Sequence, residues 1–437
     1  MGSLPRHKNY KDSGVEWLGE IPEHWSIKKI KFICQYNQIT LEDNTDPNLE
    51  VSYVDIGAVT QGAINKVECF SFKNAPSRAR RKAKEGDTII STVRTYLKAI
   101  SYIQKNYENC VFSTGFCILS PNEEINNKFF TYLVQSENFI NEVVRFSEGV
   151  SYPSITPIKL SNLQVCIPAF AEQKRIVEFL DSKCGEIDEA ISKKQRLIEL
   201  LEEQKTILIN QAVTKGLNSD VSMKDSGIEW LGEIPEHWDI SRLGFVAKIG
   251  NGSTPDRANI SFWKNGSIPW LNSSKVNETI VTYADQFVTP EAVNQCHLPI
   301  VKPNSLILAI TGEGKTRGTV AICKIETTIN QHLAYISLIT KKIQLDFLFL
   351  YLKAMYQNMR NDSSGGGSTK GAITCQDIKK YSLPIPPIKE QNEIVDNLEK
   401  SISIMKTLKE KILQEIEKLT ELKQILIAEA VTGKIKV

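Results

Sequence analysis

KDSGVEWLGEIPEHW, residues 11–25, returns as KDSGIEWLGEIPEHW at residues 224–238, the two copies differing only at Val15 and Ile228. A second pair, IPAFAEQKRIVEFL from Ile167 and IPPIKEQNEIVDNL from Ile385, follows at nearly the same distance. The offsets are 213 and 218 residues, so the chain is a tandem of two units, each an arm, a globular head and a long helix. Two copies of one unit imply an internal two-fold and a target with two parts.

The arm sets Gly14, Gly19 and Pro22 between Trp17, Leu18, Ile21 and Trp25, a spacing that suits an extended, turned segment and not a regular helix. Two tryptophans and a histidine there suggest base stacking. A surface reading different targets should differ between copies, however, and the arms match, so they are expected to be packing elements.

Short strands are expected over Val51–Ile56, Asp87–Val93 and Lys98–Ile103, and one helix over Asn127–Arg145. The second head, Asp239–Lys380, keeps the outline with other contents: GNGSTPD from Gly250, IPWLNSSKVN from Ile268, LILAITGEGKTRGTVAI from Leu306 and the glycine-rich SSGGGSTKGAIT from Ser363.

After Pro168 the pattern changes to a period near 3.5 through Ile187, Ile191, Ile198, Leu201, Leu208 and Ala212. Shifted by 218, that register gives Met405, Lys409, Ile416, Leu419, Leu426 and Ala430. A helix over 172–213 would be roughly 63 Å long at about 1.5 Å per residue. Gly185 is a place where it would break or bend, since Gly costs a helix about 1 kcal/mol relative to Ala. Lys205 and Lys423 occupy one seam position, either pairing with Glu203 and Glu421 or snorkelling at the rim.

The short connection 214–224 favours antiparallel pairing, with each arm beside the end of the other unit's helix and the termini close. The fold class is therefore α+β: two mixed α/β domains joined by two long helices in an antiparallel coiled coil, with an internal pseudo-two-fold. The expected divisions are 1–166, 167–216, 217–384 and 385–437.

The net charge of +2 over 437 residues gives no global signal for nucleic acid. The nine cysteines form no CxxC, which suits a reduced cytoplasmic protein, and neither a signal peptide nor a membrane span is evident. GEGKT at Gly312–Thr316 fails as a phosphate loop because Ala309 stands where that motif needs glycine. Asp256, Glu313 and Lys315 only superficially resemble a nuclease site, and the five histidines show no metal-ligand spacing, so neither a catalytic nor a metal site is expected.

Local charge points to binding. Arg78, Arg80, Arg81, Lys82 and Lys84 precede a strand whose far end presents Arg94, Tyr96 and Lys98. The second head offers Thr311, Glu313, Lys315, Thr316 and Arg317 on the corresponding loop, Ser273, Ser274 and Lys275 on an earlier one, and Lys370 on the glycine-rich stretch. Such groups neutralise phosphates, and an arginine at a loop tip can make paired hydrogen bonds to guanine.

The duplicated WLGEIPEHW arm, the IP-x-x-x-EQ opening of each long helix and the helix ends LINQAVTKG and LIAEAVTGK together resemble the specificity subunit of a type I restriction-modification enzyme. The resemblance covers essentially the whole chain. It implies two target-recognition domains, each reading one half of an asymmetric double-stranded DNA site, with the helix pair setting the gap. It further implies a non-catalytic subunit docking two methyltransferase subunits that use S-adenosylmethionine to methylate adenine. Restriction and translocase subunits requiring ATP and Mg would join for cleavage. Reading surfaces roughly 34 to 60 Å apart would match one to two turns of DNA. The rivals are a fused methyltransferase or nuclease, which would transfer methyl groups alone, and a coiled-coil scaffold, whose DNA response to salt would be flat.

Overall fold

In the computed structural model, residues 5–149, 151–312, 314–363 and 371–437 are described. They form two compact units, Met1–Gln195 with Leu413–Val437, and Arg196–Ile412. No helix among the described residues is long and apolar enough to cross a membrane.

The arms are packing elements. In the first unit, Tyr10–Asp12 pairs antiparallel with Glu20–Pro22, and Leu18, Ile21 and Trp25 are buried with Ile427, Ala430 and Val431 from the end of the second long helix and Ile435 just beyond it. Lys436 N–H donates to the Pro5 carbonyl at 2.7 Å and Tyr10 Oη to that of Gly433 at 3.0 Å, so the first and last described segments meet. In the second unit, Met223–Asp225 pairs with Glu233–Pro235, and Leu231, Ile234 and Trp238 pack on Ile209, Ala212 and Val213 from the end of the first long helix. Gly216 follows that helix at φ +78°, and a Cβ there would lie 3.3 Å from the Trp238 ring, so glycine serves both the turn and the close approach.

Each head is sheet-built. The first has a five-stranded sheet ordered Ile39–Thr40, Ala79–Lys82, Val111–Ser113, Glu50–Val54, Glu68–Ser71 and a four-stranded one ordered Ile100–Tyr102, Thr88–Ser91, Phe116–Pro121, Cys34–Tyr36. The second has a five-stranded sheet ordered Ala247–Asn251, Leu333–Leu338, Ser305–Ala309, Val320–Cys323, Ile280–Val281 and a three-stranded one centred on Ile268–Leu271. β-Branched runs such as Thr88-Ile89-Ile90 fill strands buried on both faces. The single helix expected over 127–145 is two, Asn127–Gln135 and Glu137–Arg145, because Ser136 at ψ 140° leaves the helical region and its hydroxyl donates back to the Leu133 carbonyl.

The IP-x-x-x-EQ motif locks head to helix. Gln173, 1% exposed, accepts from Asn126 N–H at 2.7 Å and donates to the carbonyls of Glu124 and Pro168. Gln391 makes the same three bonds, to Gln344, Lys342 and Pro386, each partner displaced by 218 residues. Small antiparallel pairs, Ser26–Lys29 with Gln164–Ile167 and Asp239–Arg242 with Ser382–Ile385, close each head at the foot of its helix.

The long helices span Phe170–Lys215 and Ile388–Val431, and the first runs unbroken through Gly185. They pack together antiparallel. In the first unit Asp188 faces Lys423 at 2.7 Å and Lys194 meets Glu415, whose carboxyl pKa is lowered chiefly by its hydrogen bond to that lysine; in the second, Glu202 meets Lys409 at 2.8 Å. The expected seam is the side turned from water. Ile187 and Leu426 are buried, while Ile191, Ile198, Leu201, Leu208, Met405, Ile416 and Leu419 are half-buried. Ile412, absent from the expected register, is buried at 4% exposure. The seam lysines pair otherwise than expected: Lys423 reaches Asp188 and not Glu421, and Lys205 takes Glu202 and not Glu203.

Half-burial sets the energetics. Because both side chains keep part of their surface in water, Leu201→Ala or Leu419→Ala should each lower stability by about 1–2 kcal/mol, below the ~2–5 kcal/mol of a fully buried leucine. Urea midpoints of the single variants test this; losses of about 4 kcal/mol would mean a drier seam.

Candidate nucleic-acid interface

One loop scaffold occurs in both heads. In the first, residues 92–99 connect the antiparallel strands Thr88–Ser91 and Ile100–Tyr102; in the second, 310–319 connect Ser305–Ala309 and Val320–Cys323. Each is braced by the segment that leads back towards its long helix. Ile155 N–H donates to the Thr92 carbonyl at 2.9 Å, and Ile373 N–H to that of Ile310 at 2.8 Å, both partners again displaced by 218. The frame is common, and the tips differ.

In the first head the tip is a 3-10 turn, Thr95–Leu97, between two left-handed residues, Arg94 at φ 51° and Lys98 at φ 56°. Arg94 N–H donates to the Pro153 carbonyl at 2.7 Å, which holds the residue in a conformation that costs a side-chain-bearing residue about 1 kcal/mol or more. Its exposed guanidinium lies 4.5 Å over the exposed Tyr152 ring. Tyr96 is 49% exposed beside it, and Lys98 is tied to Glu137 at 2.6 Å. The tip thus presents a stacked arginine and an exposed phenol, groups suited to a base edge or a phosphate.

The basic run lies on and beside the strand Ala79–Lys82, and its members are not equivalent. Arg78 is exposed, and Lys82 is half-buried. Arg80 lies 4.7 Å over Phe72 and contacts Asp43 at 3.3 Å, while Arg81 donates to Thr40 Oγ1 at 2.9 Å.

In the second head Lys315 is exposed, Ser273 is half-buried, and Thr311 Oγ1 lies 2.7 Å from His332 Nδ1. Two expectations need correcting. Lys275 is 4% exposed, held by Glu278 at 2.8 Å and Asp285 at 3.0 Å under the Tyr283 ring, so its charge is spent inside the head. Arg317 is 8% exposed with its guanidinium packed beside Gly371, so little of it is presented at the surface. Lys370 and Glu313 lie outside the described residues.

Two clusters escaped the sequence reading. Exposed Arg257 stacks 3.8 Å over Trp263 and 4.9 Å over Trp270, with its Nη2 donating to Gln286 at 2.7 Å. The run DRANISFW carried the signal only as an arginine six residues before a tryptophan. Against the expectation of no metal-ligand grouping, His7, His24 and Glu172 bring three ligand atoms within 4.8 Å of one another. Burial lowers the His7 pKa against the opposing pull of Glu172.

Comparisons with known proteins bear on the whole chain. The family described as "Type I restriction modification DNA specificity domain" matches residues 22–202 and again 235–418. The type I restriction enzyme MjaIX specificity subunit of Methanocaldococcus jannaschii is 23% identical over 436 residues, 96% of this chain and 95% of that one. The EcoKI specificity subunit of Escherichia coli K12 is 23% identical over 339 residues, 75% of this chain and 69% of that one. Among solved structures, a chain from a study of complex assembly and conformational transition of the type I R-M system superposes with a TM-score of 0.71 at 22% identity, covering 95% of this chain and 99% of that one. The HsdS subunit from Thermoanaerobacter tengcongensis gives 0.54 at 22% identity, covering 95% and 98%.

Proposed function

This chain belongs to the type I restriction-modification DNA specificity family, and from that premise we propose how its parts divide the work. It is a DNA-recognition specificity subunit with two domains. Each head reads one half of a bipartite site in double-stranded DNA, and the helix pair sets the unread gap. Catalysis falls to partners: two methyltransferase subunits binding S-adenosylmethionine and methylating adenine, and restriction and translocase subunits using ATP and Mg. The assembly works on cytoplasmic DNA.

The observation that carries the reading is the shared frame with unlike tips. Thr92 with Ile155 and Ile310 with Ile373 hold two loops alike. One then offers Arg94 and Tyr96, the other Thr311 and Lys315. A scaffold protein has no need of identical frames bearing different polar groups, whereas two half-sites of different sequence demand them.

Mapping methylated adenines across a genome with and without this chain tests the reading. A two-part, non-palindromic motif that appears only with the chain supports it; unchanged methylation refutes it. One heptad added to each long helix at the same level of the seam should lengthen the spacer by about 10 Å, about three base pairs of gap. An unchanged gap in the motif would remove the helix pair from its role as ruler.

A further inference from the structure

The three side chains His7, His24 and Glu172 form, we propose, a site for a divalent transition metal of the zinc class. It fastens the first arm to the first turn of the first long helix. His24 Nε2 lies 3.0 Å from Glu172 Oε2, and His7 Nε2 lies 3.8 Å from Glu172 Oε1. Ligands at about 2.0–2.1 Å in a tetrahedron stand roughly 3.3 Å apart, so small rotations bring these atoms onto a zinc-class ion. His7 and Glu172 side chains are each only 10% exposed, while His24 is 55% exposed. An open cleft of about 340 Å³ beside the histidines, lined also by Lys8, Asn9 and Glu23, leaves room for water as a fourth ligand.

The second copy of the motif is a built-in comparison. There His237 and Glu390 persist, but Asp220 stands at the position displaced by 213 from His7. Glu390 Oε2 accepts from the Trp238 indole N–H at 3.0 Å as well as meeting His237 at 2.8 Å. In the first copy the carboxylate is turned to two imidazoles instead. Trp25 Nε1, buried, has no hydrogen-bond partner among the described residues. A tryptophan left unpaired where its twin is paired means that Glu172 is drawn away to other groups. Two histidines and a carboxylate with one open position are a donor set that borderline metals accept. The segment so held also carries the Pro5 and Tyr10 contacts to Lys436 and Gly433, just past the second long helix, so the ion would tie three parts of the first unit together.

The test is a Co²⁺ titration of the tag-free, full-length chain followed by visible absorption. One ion per chain should bind, with d–d bands, no thiolate charge-transfer band, and displacement by Zn²⁺. Affinity should fall at least tenfold in His7→Ala and in Glu172→Gln, and stay unchanged in His237→Ala. Far-UV circular dichroism of each variant guards against misfolding, and Glu172→Asp should recover part of the binding. Zn²⁺ should raise the melting temperature of the wild type and not of His7→Ala. No stoichiometric binding, equal affinity in His7→Ala, or a thiolate band from the cysteines would each overturn the site. None of these readouts uses DNA, so the outcome is separate from the recognition role.

Discussion

Alanine at Trp25 is expected to lower the stability of the first unit by about 3–5 kcal/mol, among the largest effects of any single substitution in the chain. The ring is 1% exposed, and it packs with Leu18 and Ile21 against Ala430 and Val431. Gly433 turns the chain at φ +70°, and a Cβ there would stand 3.2 Å from the ring, so the arm fits a space that cannot refill by small shifts. Hydrogen exchange gives the local readout. Trp25→Ala should speed exchange over 10–36 and 427–436 and leave 213–243 protected, while Trp238→Ala should do the reverse. Uniform loss of protection would show that the arms are not independent fasteners. Phenylalanine separates ring from N–H. Trp238→Phe breaks a bond to the Glu390 carboxylate and should cost about 1.5–3 kcal/mol, whereas Trp25→Phe gives up no such bond and should cost less.

The architecture was legible because it is written in periodicities. A repeated arm and a 3.5-residue register survive any detail of folding, and the half-buried positions of both helices follow that register through Ile191, Ile198, Leu201, Met405, Ile416 and Leu419. Ile412 was missed because its counterpart at the offset of 218 is Lys194, whose charge breaks the apolar pattern. The break at Ser136 was illegible for a related reason. Apolar residues continue at helical spacing on both sides, and only the backbone of one residue departs.

The binding surface was less legible, since whether a cation is free depends on partners that folding supplies. Lys275 is neutralised by Asp285 as well as by nearby Glu278, and Arg80 is engaged by Asp43 from an earlier segment. Neither pairing follows from a count of basic residues. The Glu172 grouping is harder still, because 148 residues separate Glu172 from His24. The EQ pair was visible as a motif, and the fold supplies its reason. The glutamate holds the arm's histidine, and the glutamine holds the head.

Arg94 carries the largest expected effect on recognition. Its substitution must respect the backbone, because at φ 51° alanine would add strain to the loss of the guanidinium. Glycine removes the side chain without that penalty, and Gly312 stands at φ +125° at the position displaced by 218 in the other head. Arg94→Gly in the assembled complex should therefore weaken binding by about 1–3 kcal/mol, on the order of 10- to 100-fold, and relax base preference in one half-site only. Competition with duplexes altered in either half separates the halves. Arg257→Ala, which strips the cation from the Trp263 platform, should act on the opposite half. Lys82→Ala supplies the contrast: as a proposed phosphate contact, its loss should weaken all duplexes alike and reduce the salt slope by about one. Equal loss on both halves in Arg94→Gly would mean that the tip holds phosphate or shapes the head, and base reading would have to be sought elsewhere on the first head.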